Sequence, residues 1–101
     1  MELLLETPMS DVTFRSGSTY TIAELAELAR RGMQTRGLTQ VKAAEYLNEH
    51  FDPPRGRVAQ PQISAALRAP EANPGLVLLM VQAFTDYDVD EMPRYFITRK
   101  G

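Results

Sequence analysis

The segment RGRVAQPQISAALR, residues 55–68, gathers the side chains best suited to directed hydrogen bonding. It holds three arginines, two glutamines and one serine, and no Asp or Glu occurs between residues 53 and 70. A glutamine amide sets a donor beside an acceptor, which matches the edge of adenine, while a guanidinium matches guanine or a phosphate. Excluding carboxylates suits a polyanionic partner, since each one would repel it. The parts for other chemistry are missing from the sequence. It has no cysteine and a single histidine, His50, which reads as a partly exposed helix-end residue. No nucleophile elbow or phosphate-cradling loop occurs. The chain is therefore expected not to be an enzyme and to use no cofactor and no metal. The alternate carboxylates Asp86, Asp88, Asp90 and Glu91 lack the glycine and terminal glutamate of a calcium loop, so they read as capping and solvated groups.

Charge is unevenly placed along the chain. Residues 28–70 carry seven basic residues (Arg30, Arg31, Arg36, Lys42, Arg55, Arg57 and Arg68) against three acidic ones, or +4. The remainder has four basic and ten acidic residues, or −6, which together give the net −2. A basic middle flanked by acidic ends points to a polyanion held by one face rather than by the whole molecule. The 101 residues suffice for one core, and 44% hydrophobic and 24% charged residues are ordinary for a globular chain. The longest apolar run, Leu76 to Val81, is too short to span a bilayer, so no membrane association is expected. The opening MELLLETP lacks a basic stretch ahead of its leucines and does not read as a signal peptide. With no cysteine present, the expected location is cytoplasmic.

The elements that must position the polar segment are mostly helical. TIAE is a capping box with Thr21 as N-cap and Glu24 at N3, and Tyr20 and Leu25 form a hydrophobic staple. Ile22, Leu25, Ala26, Ala29 and Met33 carry the first helix toward Arg36, with Gly37 as its left-handed cap. A second helix is expected from the Thr39 cap, with Val41, Ala44, Leu47 and Phe51 facing inward, and DPPRG stops it. A third runs from about Gln60 to Ala69 with Ile63 and Leu67 as its core residues. Its first turn has no use for the N–H that Pro61 lacks. Asn73 and Pro74 open a fourth helix, apolar almost all round, whose surplus is expected to face a second copy. Asp88 is expected to cap one more helical turn through Glu91. ELLLE and DVTFR read as short strands, SGST as a breaker, and RYFITRK as a terminal strand with an open edge. The expected fold class is mainly α, a four- to five-helix bundle with a helix-turn-helix and short terminal β-strands. Residues 1–20 form an N-terminal extension, 21–92 the helix-turn-helix domain and 93–101 a C-terminal strand.

GLTQVKAAEYL, then VAQPQISAAL, then PGLVLLMVQAFTDYDVDEM resembles the phage-repressor/Cro-like helix-turn-helix family over about residues 22–92. In that family a Leu-Thr-Gln opens helix 2 and a Val-Ser-Gln-x-x-Ile-Ser segment opens the recognition helix. The resemblance implies base reading by Gln60 and Gln62, with Ser64 and Ala65 one turn on and Arg68 reaching a flanking base or a phosphate. Gln40 matches the family glutamine that holds the DNA backbone. Thr39, Lys42 and Arg36 join it as backbone contacts, as do Arg55 and Arg57 in the connection. Two departures stand out. The tight turn between the two helices is here NEHFDPPRGR, an insertion of several residues between Asn48 and Val58, and the expected N-cap serine is Ala59.

The implied function is a sequence-specific DNA-binding repressor of phage or bacterial type. It would act as a homodimer on double-stranded DNA and block polymerase by occupying a pseudo-palindromic operator. Two alternatives remain open at this point. One is an antitoxin that represses its own operon and binds a toxin protein. The other is a protein-interaction module in which the terminal strand extends a partner's sheet.

Overall fold

In the computed structural model the chain is described at residues 13–53, 56–91 and 95–100. The order is β1 (Thr19–Tyr20), α1 (Ile22–Thr35), α2 (Gln40–His50), α3 (Gln60–Arg68), a 3₁₀ turn at Pro70–Ala72, α4 (Pro74–Phe84), β2 (Tyr87–Glu91) and β3 (Tyr95–Arg99). The protein is mainly helical, with short strands at the two ends of the helical part.

The helix ends follow from their sequences. The Thr21 Oγ1 accepts the Glu24 N–H at 3.1 Å, and the Glu24 Oε1 accepts the Thr21 N–H at 2.8 Å. Tyr20 and Leu25 are both buried below this box. At the far end Gly37 adopts φ 67, and the Leu38 N–H returns to the Met33 carbonyl at 2.9 Å. That is the Schellman closure, which needs a residue free to enter the left-handed region. Thr39 caps α2 through the Lys42 N–H, and Asn73 caps α4 through the Leu76 N–H.

The core lies where α1 and α4 cross, closed by α2 and α3 on one side and by Ile97 of β3 on the other. Phe84, Leu25, Leu47, Ile63, Met80, Ile97, Val77 and Val81 are its largest fully buried side chains. Gly32 sits at the crossing. A Cβ there would press on the Phe84 carbonyl and stand 2.8 Å from the Thr85 Cγ2. Most of the apolar face of α4 is consumed inside: Leu76, Val77, Met80, Val81, Ala83 and Phe84 are buried, and Leu78 and Leu79 are half-buried.

Four sequence expectations are corrected. Val41 does not face inward; it is 52% exposed, while Ala43, Ala44 and Leu47 are buried. The helix takes the phase that turns Gln40 toward α3, and Val41 is carried outward with it. Asp88 caps no helical turn, because residues 87–91 are β2. Thr85 redirects the chain there: its hydroxyl donates to the Val81 carbonyl at 2.6 Å and accepts the Tyr87 N–H at 3.2 Å. Within RYFITRK the strand Tyr95–Arg99 is not an open edge. The sheet order is β1-β3-β2, so β3 is central, with Tyr20↔Tyr95 on one side and Val89↔Ile97 on the other. Finally, Thr13–Arg15 of DVTFR form no strand. The Tyr20 hydroxyl replaces a ladder for them, accepting the Arg15 N–H at 2.8 Å and donating to the Thr13 carbonyl at 3.1 Å. ELLLE, Asp11 and Val12 lie outside the described residues.

Candidate nucleic-acid interface

α3 buries Ile63 and Ala66 and leaves Pro61, Gln62, Ala65 and Arg68 exposed. These exposed positions share one outward stripe, as helical spacing requires. Gln60 and Ser64 are half-buried along its flank. The five residues expected to read bases are therefore divided between an outer row and the row next to α2.

The flank is built by a contact between helices. The Gln60 Nε2 donates to the Gln40 Oε1 at 2.5 Å. An amide nitrogen has two hydrogens and an amide oxygen two lone pairs, so each glutamine keeps groups for a further partner. Gln62 is used differently. Its Oε1 accepts the Ala59 N–H at 2.7 Å, the N3 half of a capping box, while Ala59 has no side-chain oxygen for the other half. Pro61 sits at N2 of the same turn, where its missing N–H costs no intrahelical bond.

The insertion between α2 and α3 is closed at its base. The Asn48 Nδ2 donates to the Val58 carbonyl, and the Val58 N–H donates to the Asn48 Oδ1, both at 2.8 Å. One side chain thus pairs with both backbone groups of a single residue, as a neighbouring strand would. Buried Val58 fixes the loop's exit to the core. Arg57 is exposed on this loop, and Arg55 lies outside the described residues. Sequence reasoning missed the clamp. The only available signal was an amide side chain at the point where the insertion begins.

Around α2 the expected backbone contacts are Thr39, whose hydroxyl accepts the Lys42 N–H, and Lys42 itself, 3.8 Å from Glu45 with both side chains exposed. Arg36 is placed elsewhere: its Nε donates to the Phe84 carbonyl at 3.0 Å, at the end of α4. There it complements the negative end of that helix. Part of the basic surplus is neutralised within α1. Buried Glu27 accepts the Nε of Arg30 at 2.8 Å and that of Arg31 at 3.0 Å. The Arg30 hydrogen bond holds the Glu27 carboxyl below its ordinary range, against the opposing effect of burial and with help from Arg31. The i,i+3 and i,i+4 spacings put both arginines on the face of α1 that carries Glu27.

No known protein family, curated protein or solved structure matches the chain. The outward stripe carries the Gln62 amide, the Arg68 guanidinium and the small apolar surfaces of Pro61 and Ala65, with the Gln60 amide on its flank bonded to α2 and no carboxylate along α3. Among the described residues, Val41 beside Gln40 is the large apolar side chain left exposed, and it adjoins this region in sequence.

Proposed function

We propose that the protein is a sequence-specific DNA-binding regulator that lays α3 in the major groove and represses by occupying an operator. The observation that carries this reading is the Gln40–Gln60 bond beside an outward face bearing Gln62, Ala65 and Arg68. It joins a residue at the start of α2, where a phosphate would be held, to one at the start of α3, where a base would be read. The resemblance to the phage-repressor/Cro-like family supports the same assignment. Two copies would occupy a pseudo-palindrome with half-sites about one helical turn apart, because one short helix covers little DNA.

The test is selection of duplexes from a random pool, followed by titration at several salt concentrations. A recovered consensus, bound with a steep salt dependence, is the expected result. Failure to enrich any sequence, together with binding that does not respond to salt, would overturn the reading.

A second reading is an antitoxin that represses its own operon. It draws on the sheet: in the order β1-β3-β2, β2 is an edge strand that can add a partner's strand. In that case the α3 face keeps its DNA role and the sheet edge takes the toxin.

A further inference from the structure

Arg68 stands in the last turn of α3, where a cation ordinarily turns toward the free carbonyls of the helix end. It turns the other way. Its Nη1 donates to the Ser64 Oγ, one turn back, at 3.0 Å. At that end the Ala69 N–H bonds the Ala65 carbonyl at 2.8 Å, and the 3₁₀ turn follows with the Ala72 N–H on the Ala69 carbonyl at 3.0 Å. Among the described residues no carboxylate pairs with Arg68. Its side chain is exposed, while Ser64 is half-buried on the flank of the outward stripe. A long flexible cation is thus held over the stripe by a short residue anchored beside the core.

Resting on the DNA-binding reading above, we infer that Ser64 is a positioning residue that presets Arg68 as a guanine reader at the far end of α3. A guanidinium has five N–H groups in one plane. Bonding one Nη1 hydrogen to Ser64 leaves the Nε and Nη2 hydrogens along the opposite edge, spaced to meet guanine N7 and O6 together. Fixing the side chain before contact removes part of the rotamer freedom that binding would otherwise cost. Arg68 follows Gln60 by eight residues, about 12 Å along a helix axis. At about 3.4 Å per base-pair step this places its base roughly three to four pairs beyond the one facing Gln60. A phosphate contact by Arg68 would need no such fixing, since charge attraction tolerates many orientations.

The experiment compares half-site duplexes that differ only at that outer pair, with the pair facing Gln60 located first as the one whose preference Gln60→Ala abolishes. Wild-type protein is expected to favour G·C over A·T there by about tenfold. Ser64→Ala should lose most of that preference while keeping its fold by circular dichroism. Ser64→Thr should restore it, and Arg68→Met, which keeps an unbranched stem but has no N–H donor, should lack it. Retention of the full preference by Ser64→Ala overturns the inference. So does an Arg68→Ala variant that weakens binding on every sequence alike and lowers the salt slope by about 0.9, the mark of a lost phosphate contact. A consensus that depends on Gln60 but is indifferent at the outer pair removes this inference alone. Wild-type protein that selects no sequence removes the DNA-binding reading and the inference with it.

Discussion

Gln60 and Gln40 are joined by one hydrogen bond across the two helices of the candidate interface, Nε2 to Oε1 at 2.5 Å. The bond fixes which way each amide faces. Gln60 is left with its oxygen and a second N–H, the complementary pair needed by an adenine edge. Gln40 is left with both of its own N–H groups, which suit a phosphate oxygen. On the proposed DNA-binding reading, the bond makes a positioning contact and a reading contact parts of one unit, even though twenty residues separate them in the chain.

Gln40→Ala should therefore damage sequence preference as well as affinity. With its partner gone, the Gln60 amide is free to turn, and discrimination at its base pair should fall although Gln60 is intact. A double-mutant cycle on operator binding with Gln40→Ala and Gln60→Ala should give a coupling of about 0.5–3 kcal/mol. Additive effects of the two substitutions would mean that the amides act separately.

Asn48 holds both ends of the inserted loop through its two 2.8 Å bonds to Val58. Asn48→Ala leaves a peptide N–H and a carbonyl without partners in a half-buried setting. It should cost about 1–3 kcal/mol in urea unfolding, with the midpoint lowered and the m-value unchanged. Asn48→Asp keeps the acceptor and loses the donor, so it should fall between wild type and alanine. A cost below about 0.5 kcal/mol for the alanine variant would show that the loop is not tied at its base.

Glu27 gives the fold a defined acid response. Its folded pKa is lowered, chiefly by the Arg30 hydrogen bond and against burial. A lowered carboxylate pKa means that the unfolded chain takes up the proton first as pH falls. The contribution is thus complete at neutral pH, starts to fade near the ordinary carboxylate range and is gone below the lowered folded value. Glu27→Gln should cost about 1–3 kcal/mol at pH 7, because it leaves Arg30 and Arg31 without their shared anion. The gap between variant and wild type should close as pH drops through that window, measured by denaturant unfolding at each pH. A gap that stays constant down to strong acid would assign the cost to packing rather than to charge.

The helical part was legible in the sequence because its boundaries are set by local chemistry. Thr21, Glu24, Gly37, Thr39, Asn73 and Pro74 act on backbone groups within a few residues of themselves, and each stands where it was expected. The sheet was less legible for the opposite reason. Tyr87–Glu91 can satisfy a helical turn or a strand locally, and only the distant β3 decides between them. The phase of α2 failed in the same way: spacing allows either Val41 or Ala43 to face inward, and packing against α3 selects Ala43. Within the site, residue types predicted which side chains would gather but not how they would be used. Gln62 is committed to its helix start, Arg36 to the end of α4, and Ser64 to Arg68.

Gln62 lets stability and DNA binding be separated at one position. Its Oε1 accepts the Ala59 N–H at 2.7 Å, while the residue itself is exposed at the start of α3. Glutamate at this position accepts the same bond and adds negative charge at a helix N-terminus, where the dipole favours it. Gln62→Glu should therefore leave stability unchanged or raise it by about 0.3–1 kcal/mol. The same charge faces the duplex if α3 lies in the groove, and like-charge apposition at an interface costs several kcal/mol. Operator affinity should then fall by at least about tenfold, with the loss largest at low salt, where repulsion is least screened. Gln62→Ala should do the reverse on the first measurement, lowering stability by about 0.5–2 kcal/mol as the cap is lost. Thermal melts and operator titrations on the two variants give a crossed pattern that a fold defect cannot imitate. A Gln62→Glu protein that binds operator as tightly as wild type at every salt concentration would place the outward face of α3 away from the DNA.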